Sequence, residues 1–105
     1  MRRIKLTVAY DGTDYCGWQI QPNGITVEEV LNKALSDLTK ETVKVIGASR
    51  TDAGVHARGN VAVFDTKSPI PPERIAYAVN ALLPDDIVVM RSEEVGCDWH
   101  PRYQN

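Results

Sequence analysis

"TVKVIGASRTDAGVHARGNVAVFDT" (residues 42–66) holds two apolar, β-branched runs with no helical pattern between them. Residues 42–48 and 60–66 read as consecutive strands. Two neighbouring strands need only about two to five linking residues. The connection 47–60 is longer and carries Arg50, Asp52, His56 and Arg58. That is more charged chemistry than a plain turn requires.

Outward from this strand pair, each flank adds one helix and one strand. On the N-terminal side, "TVEE" (26–29) fits a capping box, with Thr26 as N-cap and Glu29 three residues on. Val27, Val30, Leu31, Ala34, Leu35 and Leu38 then keep the spacing of one helix face, and Glu29 with Lys33 adds a favourable i, i+4 pair. Before it, "RRIKLTVAY" (2–10) alternates, with Ile4, Leu6, Val8 and Tyr10 on one side, as a half-buried strand does. Residues 11–24 are rich in turn formers and read as a long loop. On the C-terminal side, Pro71-Pro72 opens a second helix with Ile75, Val79, Leu82 and Leu83 on its apolar face, and Pro84 stops it. "DIVVMR" (86–91) reads as a last strand, its apolar run predicting burial on both faces. The order β-α-β-β-α-β predicts an α+β, ferredoxin-like domain: an antiparallel sheet with both helices on one face. This fold serves RNA readers, metal carriers and enzymes, so function must come from the site.

The chain has 105 residues, 43% hydrophobic and 25% charged, with a formal net charge of −2. This is an ordinary globular composition for one domain. It gives no general reason to expect a nucleic-acid partner, though a local patch can still bind one. No stretch approaches the roughly 18 apolar residues of a membrane span, and the N-terminus runs directly into a strand pattern. A cytoplasmic protein is expected, with Cys16 and Cys97 as free thiols. The last residues, "CDWHPRYQN" (97–105), crowd aromatic side chains where a free terminus is usually polar. A longer parent protein is therefore expected.

Within the connection, Arg50 and Asp52 stand two residues apart, on one side of the chain if it stays extended. A guanidinium within about 4–6 Å of a carboxyl lowers its pKa by about 1–3. An aspartate held ionised is a poor general acid but a usable nucleophile or metal ligand. From Lys44 to Arg58 the segment has one acid among three fixed basic charges, which suits an anionic ligand. By composition and spacing alone, Arg-x-Asp before Ala-Gly is more often a surface ion pair capping a turn, worth about 0–1 kcal/mol. Likewise, a single His56 is more often a surface histidine than a catalytic one. Gly47 leads to no phosphate-loop lysine. Ala53 lacks the hydroxyl of an aspartic-protease Asp-Thr/Ser-Gly, and an adjacent arginine opposes the proton that a carboxylate dyad shares. One His and one Asp make no metal site.

Four blocks in register carry a more specific signal: "YDGTDYCGWQIQ" (10–21), "GASRTDAGVHARGNVAVF" (47–64), "LPDDIVV" (83–89) and "WHPRY" (99–103). In order and spacing the chain resembles the bacterial tRNA pseudouridine synthase A family over essentially its whole length. The resemblance implies an isomerase that converts uridine to pseudouridine at three consecutive positions on the 3′ side of the tRNA anticodon stem-loop. It implies no metal and no organic cofactor, and a homodimer of the full-length protein. By resemblance Asp52 is the nucleophile, attacking uracil C6 or ribose C1′, and Arg50 is its partner. Arg58 and His56 are RNA-facing neighbours, with Arg2, Arg3 and Lys44 as further sources of positive charge. Tyr15, Trp18 and Gln19 either border the cleft or pack into the core. The family continues into a second domain of similar fold, with a catalytic tyrosine past Asn105, so the isolated 105-residue chain is expected to be inactive. Trp99 stands where phenylalanine is usual and Asn60 where glutamine is common. The competing classes are a non-catalytic RNA-binding module of the same fold and a small dimeric hydrolase. Against the binding module, "NVAVFDT" (60–66) lacks the aromatic signature of an RNA-recognition strand.

Overall fold

The computed structural model describes residues 1–18, 24–47 and 57–101. Strand β1 (Arg2–Tyr10) is central, and its alternation predicts how the two layers meet. Ile4, Leu6, Val8 and Tyr10 are buried under the helices, while the intervening residues face the other way. The sheet order is β2-β3-β1-β4, with every pairing antiparallel, which is the ferredoxin-like arrangement. Helices α1 (Val27–Thr39) and α2 (Pro72–Asn80) bury Leu31, Leu35, Ile75 and Val79 in the same apolar cluster as the inward residues of β1. Both helices therefore cover one face. Burying each such side chain completely contributes about 1.5–3 kcal/mol.

Helix α1 begins as its sequence predicts. The Thr26 hydroxyl accepts from Glu29 N at 3.3 Å. The amides of Val27 and Glu28 donate to the carbonyls of Gly17 and Trp18, so the loop before the helix satisfies donors that a helix start leaves unmet. The helix ends at Lys40, whose φ of 61° is left-handed.

Four elements differ from expectation. Among the described residues, β2 is only Ile46–Gly47 instead of 42–48. Val43 and Val45 are buried as the alternation predicts, but their amides donate to Ser36 Oγ at 2.9 Å and Asn32 Oδ1 at 2.8 Å. Side chains of α1 thus take the donors a strand neighbour would have used. Strand β3 (Ala57–Thr66) starts earlier than expected, because it continues along β1 past the end of β2. Strand β4 (Ile87–Val95) is longer than 86–91 and is not buried on both faces: Val88 is 43% and Met90 53% exposed. It is an edge strand, and its register shifts at Met90, so Val89 and then Ser92 face inward.

Helix α2 also stops before Leu82. Asn80 turns to β4, donating to Val89 O at 2.9 Å and accepting from Val89 N at 2.8 Å. Leu82 is consequently half exposed, while Leu83 packs against the core. On the sheet face away from the helices, Arg3 pairs with Asp65 at 2.8 Å and donates to Trp99 O at 2.6 Å. Lys5 lies 5.3 Å from the Trp99 ring centre, so the segment after β4 folds back across this face. No disulfide joins Cys16 and Cys97.

Candidate active site

Because the sheet is antiparallel, the end of β1 (Tyr10) lies with the starts of β3 (Ala57) and β4 (Ile87) at one end of the domain, while β2 ends at Gly47 opposite Ala62, partway along β3. The connection in question leaves at Gly47 and returns at Ala57. Arg50, Asp52 and His56 lie outside the described residues, as does Gln19. Arg58 is described: it is exposed and lines an open recess of about 420 Å³ with Tyr10, Asp11, Asp85 and Asp86.

The loop after β1 is built from the residues that its turn-rich composition offers. Asp11 Oδ1 accepts from Thr13 N at 3.0 Å and Thr13 Oγ1 at 2.6 Å, capping a short 3-10 turn over Gly12–Asp14. Two bonds then tie this loop to the start of β4: Asp11 N donates to Asp86 O at 2.9 Å, and the Tyr15 hydroxyl donates to Asp86 Oδ1 at 2.6 Å. Burial, and then the Asp86 carboxylate, push the Tyr15 phenol well above its usual range. Gly17 takes a φ of 88°, which a side chain would strain, and delivers Trp18 into the core.

These contacts place Tyr15 and Trp18 of the first block. Tyr15 is 8% and Trp18 2% exposed, so both are core residues and offer no ring face for a base to stack on. The Trp18 ring stands 6.0 Å from that of Tyr10, tilted by 35°. The expected patch of positive charge is also smaller than the sequence implies. Arg2 donates to the carbonyls of Ser68 and Ile70, and Arg3 is engaged by Asp65 and Trp99. Lys44 and Arg58 remain exposed, with Asp11, Asp85 and Asp86 beside Arg58 in its recess. Nothing in the sequence groups these three carboxylates, since Asp11 and the "LPDD" stretch lie far apart in the chain. Only the antiparallel pairing of β1 and β4 brings Asp11 to the pair at 85–86.

A family model described as tRNA pseudouridine synthase matches residues 6–104. The chain belongs to this family. It is 60% identical to the tRNA pseudouridine synthase A of Ruminiclostridium cellulolyticum over 103 residues, covering 98% of this chain and 42% of the relative. It is 50% identical over 105 residues to the protein of that name from Clostridium acetobutylicum, covering 100% of this chain and 43% of the relative. The corresponding protein of Acetivibrio thermocellus is 55% identical over 104 residues, with 99% and 43% covered. The chain therefore spans about two-fifths of the length of these curated relatives. Trp99 sits at the surface of the sheet, where its carbonyl receives Arg3 and its ring covers Lys5.

Proposed function

We propose that this chain is the catalytic-loop half of a full-length tRNA pseudouridine synthase, with Asp52 as nucleophile and Arg50 as its partner. The family match across residues 6–104 is the observation that carries this reading. The substrate is uridine at three consecutive positions on the 3′ side of the tRNA anticodon stem-loop. The Asp52 carboxylate adds to uracil C6 or displaces the base at ribose C1′. The glycosidic C1′–N1 bond breaks, the base rotates, a C1′–C5 bond forms, and the bond to Asp52, at C6 or at C1′, breaks to return the free carboxylate. The proton from C5 passes to solvent and N1 gains one, so uridine and pseudouridine have the same formula. No oxidant or reductant is needed.

Elementary chemistry supports the same assignment. A guanidinium two residues from the carboxylate favours the ionised form that a nucleophile requires. A base inside a stem must leave the stack to react, and a charged loop at the end of a sheet can fill the vacated space. His56 and Arg58 follow on that loop, facing RNA in this reading. In this reading a second domain completes the site, so the 105-residue chain on its own is inactive, and the full-length protein is a homodimer.

The test is tritium release from tRNA carrying uridine labelled at C5, using the full-length protein. Wild type should release label, and Asp52→Ala should release none above background. Full activity in Asp52→Ala overturns the assignment. Turnover by the purified 105-residue chain would contradict the need for the second half.

A further inference from the structure

Trp18 meets three chain ends at once. Its carbonyl accepts from Glu28 N at 2.9 Å, in the first turn of α1. Its ring packs near Tyr10, the last residue of β1. The edge of its indole lies on the backbone of Gly47, the last residue of β2. A Cβ at position 47 would stand 2.5 Å from Nε1, 2.8 Å from Cε2 and 3.1 Å from Cζ2. Non-bonded heavy atoms rest at about 3.5–4.0 Å, so the indole excludes any side chain there. Gly47 has no left-handed φ. Its missing side chain is required by the neighbouring ring and not by its own backbone.

The ladder between β2 and β3 consists of two pairs, Ile46 with Val63 and Gly47 with Ala62. The residues before it are held by α1 through Asn32 and Ser36. The indole, clamped by its own backbone to the start of α1, is the lateral stop against which Gly47 rests. Asp52 follows five residues later in the chain.

We propose that Trp18 is a positioning residue of the isomerisation: its indole, seated on Gly47, sets the point from which the segment carrying Asp52 departs. The inference rests on the reading of Asp52 given above. Reactions that depend on near-attack geometry lose on the order of 100-fold when a reacting group moves by about 1 Å. The consequence should therefore appear in the chemical step more than in tRNA binding.

The experiment measures tritium release by the full-length protein over a range of tRNA concentrations. It compares wild type with Gly47→Ala, Trp18→Phe, their combination and Asp52→Ala, each corrected for the folded fraction. Gly47→Ala should lower kcat by about 10–100-fold and leave KM for tRNA within about twofold. The combined variant should recover most of that loss, because phenylalanine lacks the pyrrole atoms nearest position 47. A wild-type kcat in Gly47→Ala, or no recovery in the combination, overturns the proposal. A purely structural role would lower the melting temperature with kcat per folded molecule unchanged, and that result overturns it too. If Gly47→Ala fails to fold, Trp18→Phe decides. A kcat reduced by about 3–10-fold at unchanged KM supports the proposal, and a wild-type kcat refutes it. Activity in Asp52→Ala removes the functional reading and this inference together. An inactive Asp52→Ala beside a fully active Gly47→Ala removes only the role of Trp18.

Discussion

Tyr15 donates its phenolic hydrogen to Asp86 Oδ1 at 2.6 Å, fastening the loop after β1 to the start of β4. The phenol is buried and the acceptor is a carboxylate, so the bond belongs to the stronger class. Tyr15→Phe keeps the packing and removes the donor. Urea unfolding near neutral pH should show a loss of about 1–2 kcal/mol. The pH dependence has a definite sign. The native phenol titrates above its usual value, because burial and Asp86 both oppose ionisation. The unfolded chain releases that proton near pH ~10, so the contribution is complete below this pH and fades as pH rises through it. The gap between wild type and Tyr15→Phe should stay constant up to about pH 10 and narrow above it.

The Glu41 carboxylate receives the hydroxyl of Thr66 and, at 2.9 Å, the amide of Lys67, closing the chain after α1 onto the end of β3. Thr66 is completely buried, so Glu41→Ala strands its hydroxyl proton. A loss of about 1–2 kcal/mol is expected in denaturant titration. The Thr66 hydroxyl, followed by the Lys67 amide, holds the Glu41 carboxyl below its ordinary range. A depressed pKa contributes stability above the unfolded value, near 4.3, and loses it as pH falls further. The wild-type advantage over Glu41→Ala should therefore shrink below about pH 4.

Which parts of this fold were legible in sequence follows from where their determinants lie. The alternation of β1 and the Thr26 cap of α1 are local, and the structure repeats them. β2 is short because Asn32 and Ser36 reach the amides of Val45 and Val43, a choice that strand propensity does not encode. The apolar run in β4 reads the same whether a strand is central or at an edge, and only the sheet order shows Val88 and Met90 exposed. For the site, Arg58 lies at the start of β3, and its carboxylate neighbours come from distant segments. Gly47 looks like the start of a turn until Trp18 is seen against it. Arg50, Asp52 and His56 rest on the family resemblance, since they fall outside the described residues.

Ser92 joins β4 to α2 through a single hydroxyl. Its Oγ accepts from Ala76 N at 2.9 Å and donates to Pro72 O at 2.6 Å, two groups one helical turn apart. The register shift at Met90 is what turns Ser92 inward. Ser92→Ala leaves both backbone groups to find each other or go unmet, and the side chain is almost fully buried. Thermal or urea unfolding should report a loss of about 1–3 kcal/mol. Ser92→Thr adds a methyl to the same packed site and should not restore wild-type stability.

Arg58 carries the prediction that links the described site to RNA. It is exposed at the sheet end and shares its recess with Asp11, Asp85 and Asp86. If it contacts a phosphate in the full-length protein, Arg58→Ala removes one released counterion on tRNA binding. The slope of log affinity against log salt should then become shallower by about 0.7–1, and affinity should fall similarly for any tRNA sequence. If Arg58 serves only the neighbouring carboxylates, the variant should change stability and leave that slope intact. Filter-binding titrations over a range of salt, with the full-length protein and unmodified tRNA, separate the two. The phosphate reading predicts the shallower slope, because the three carboxylates would otherwise repel the RNA backbone from this recess.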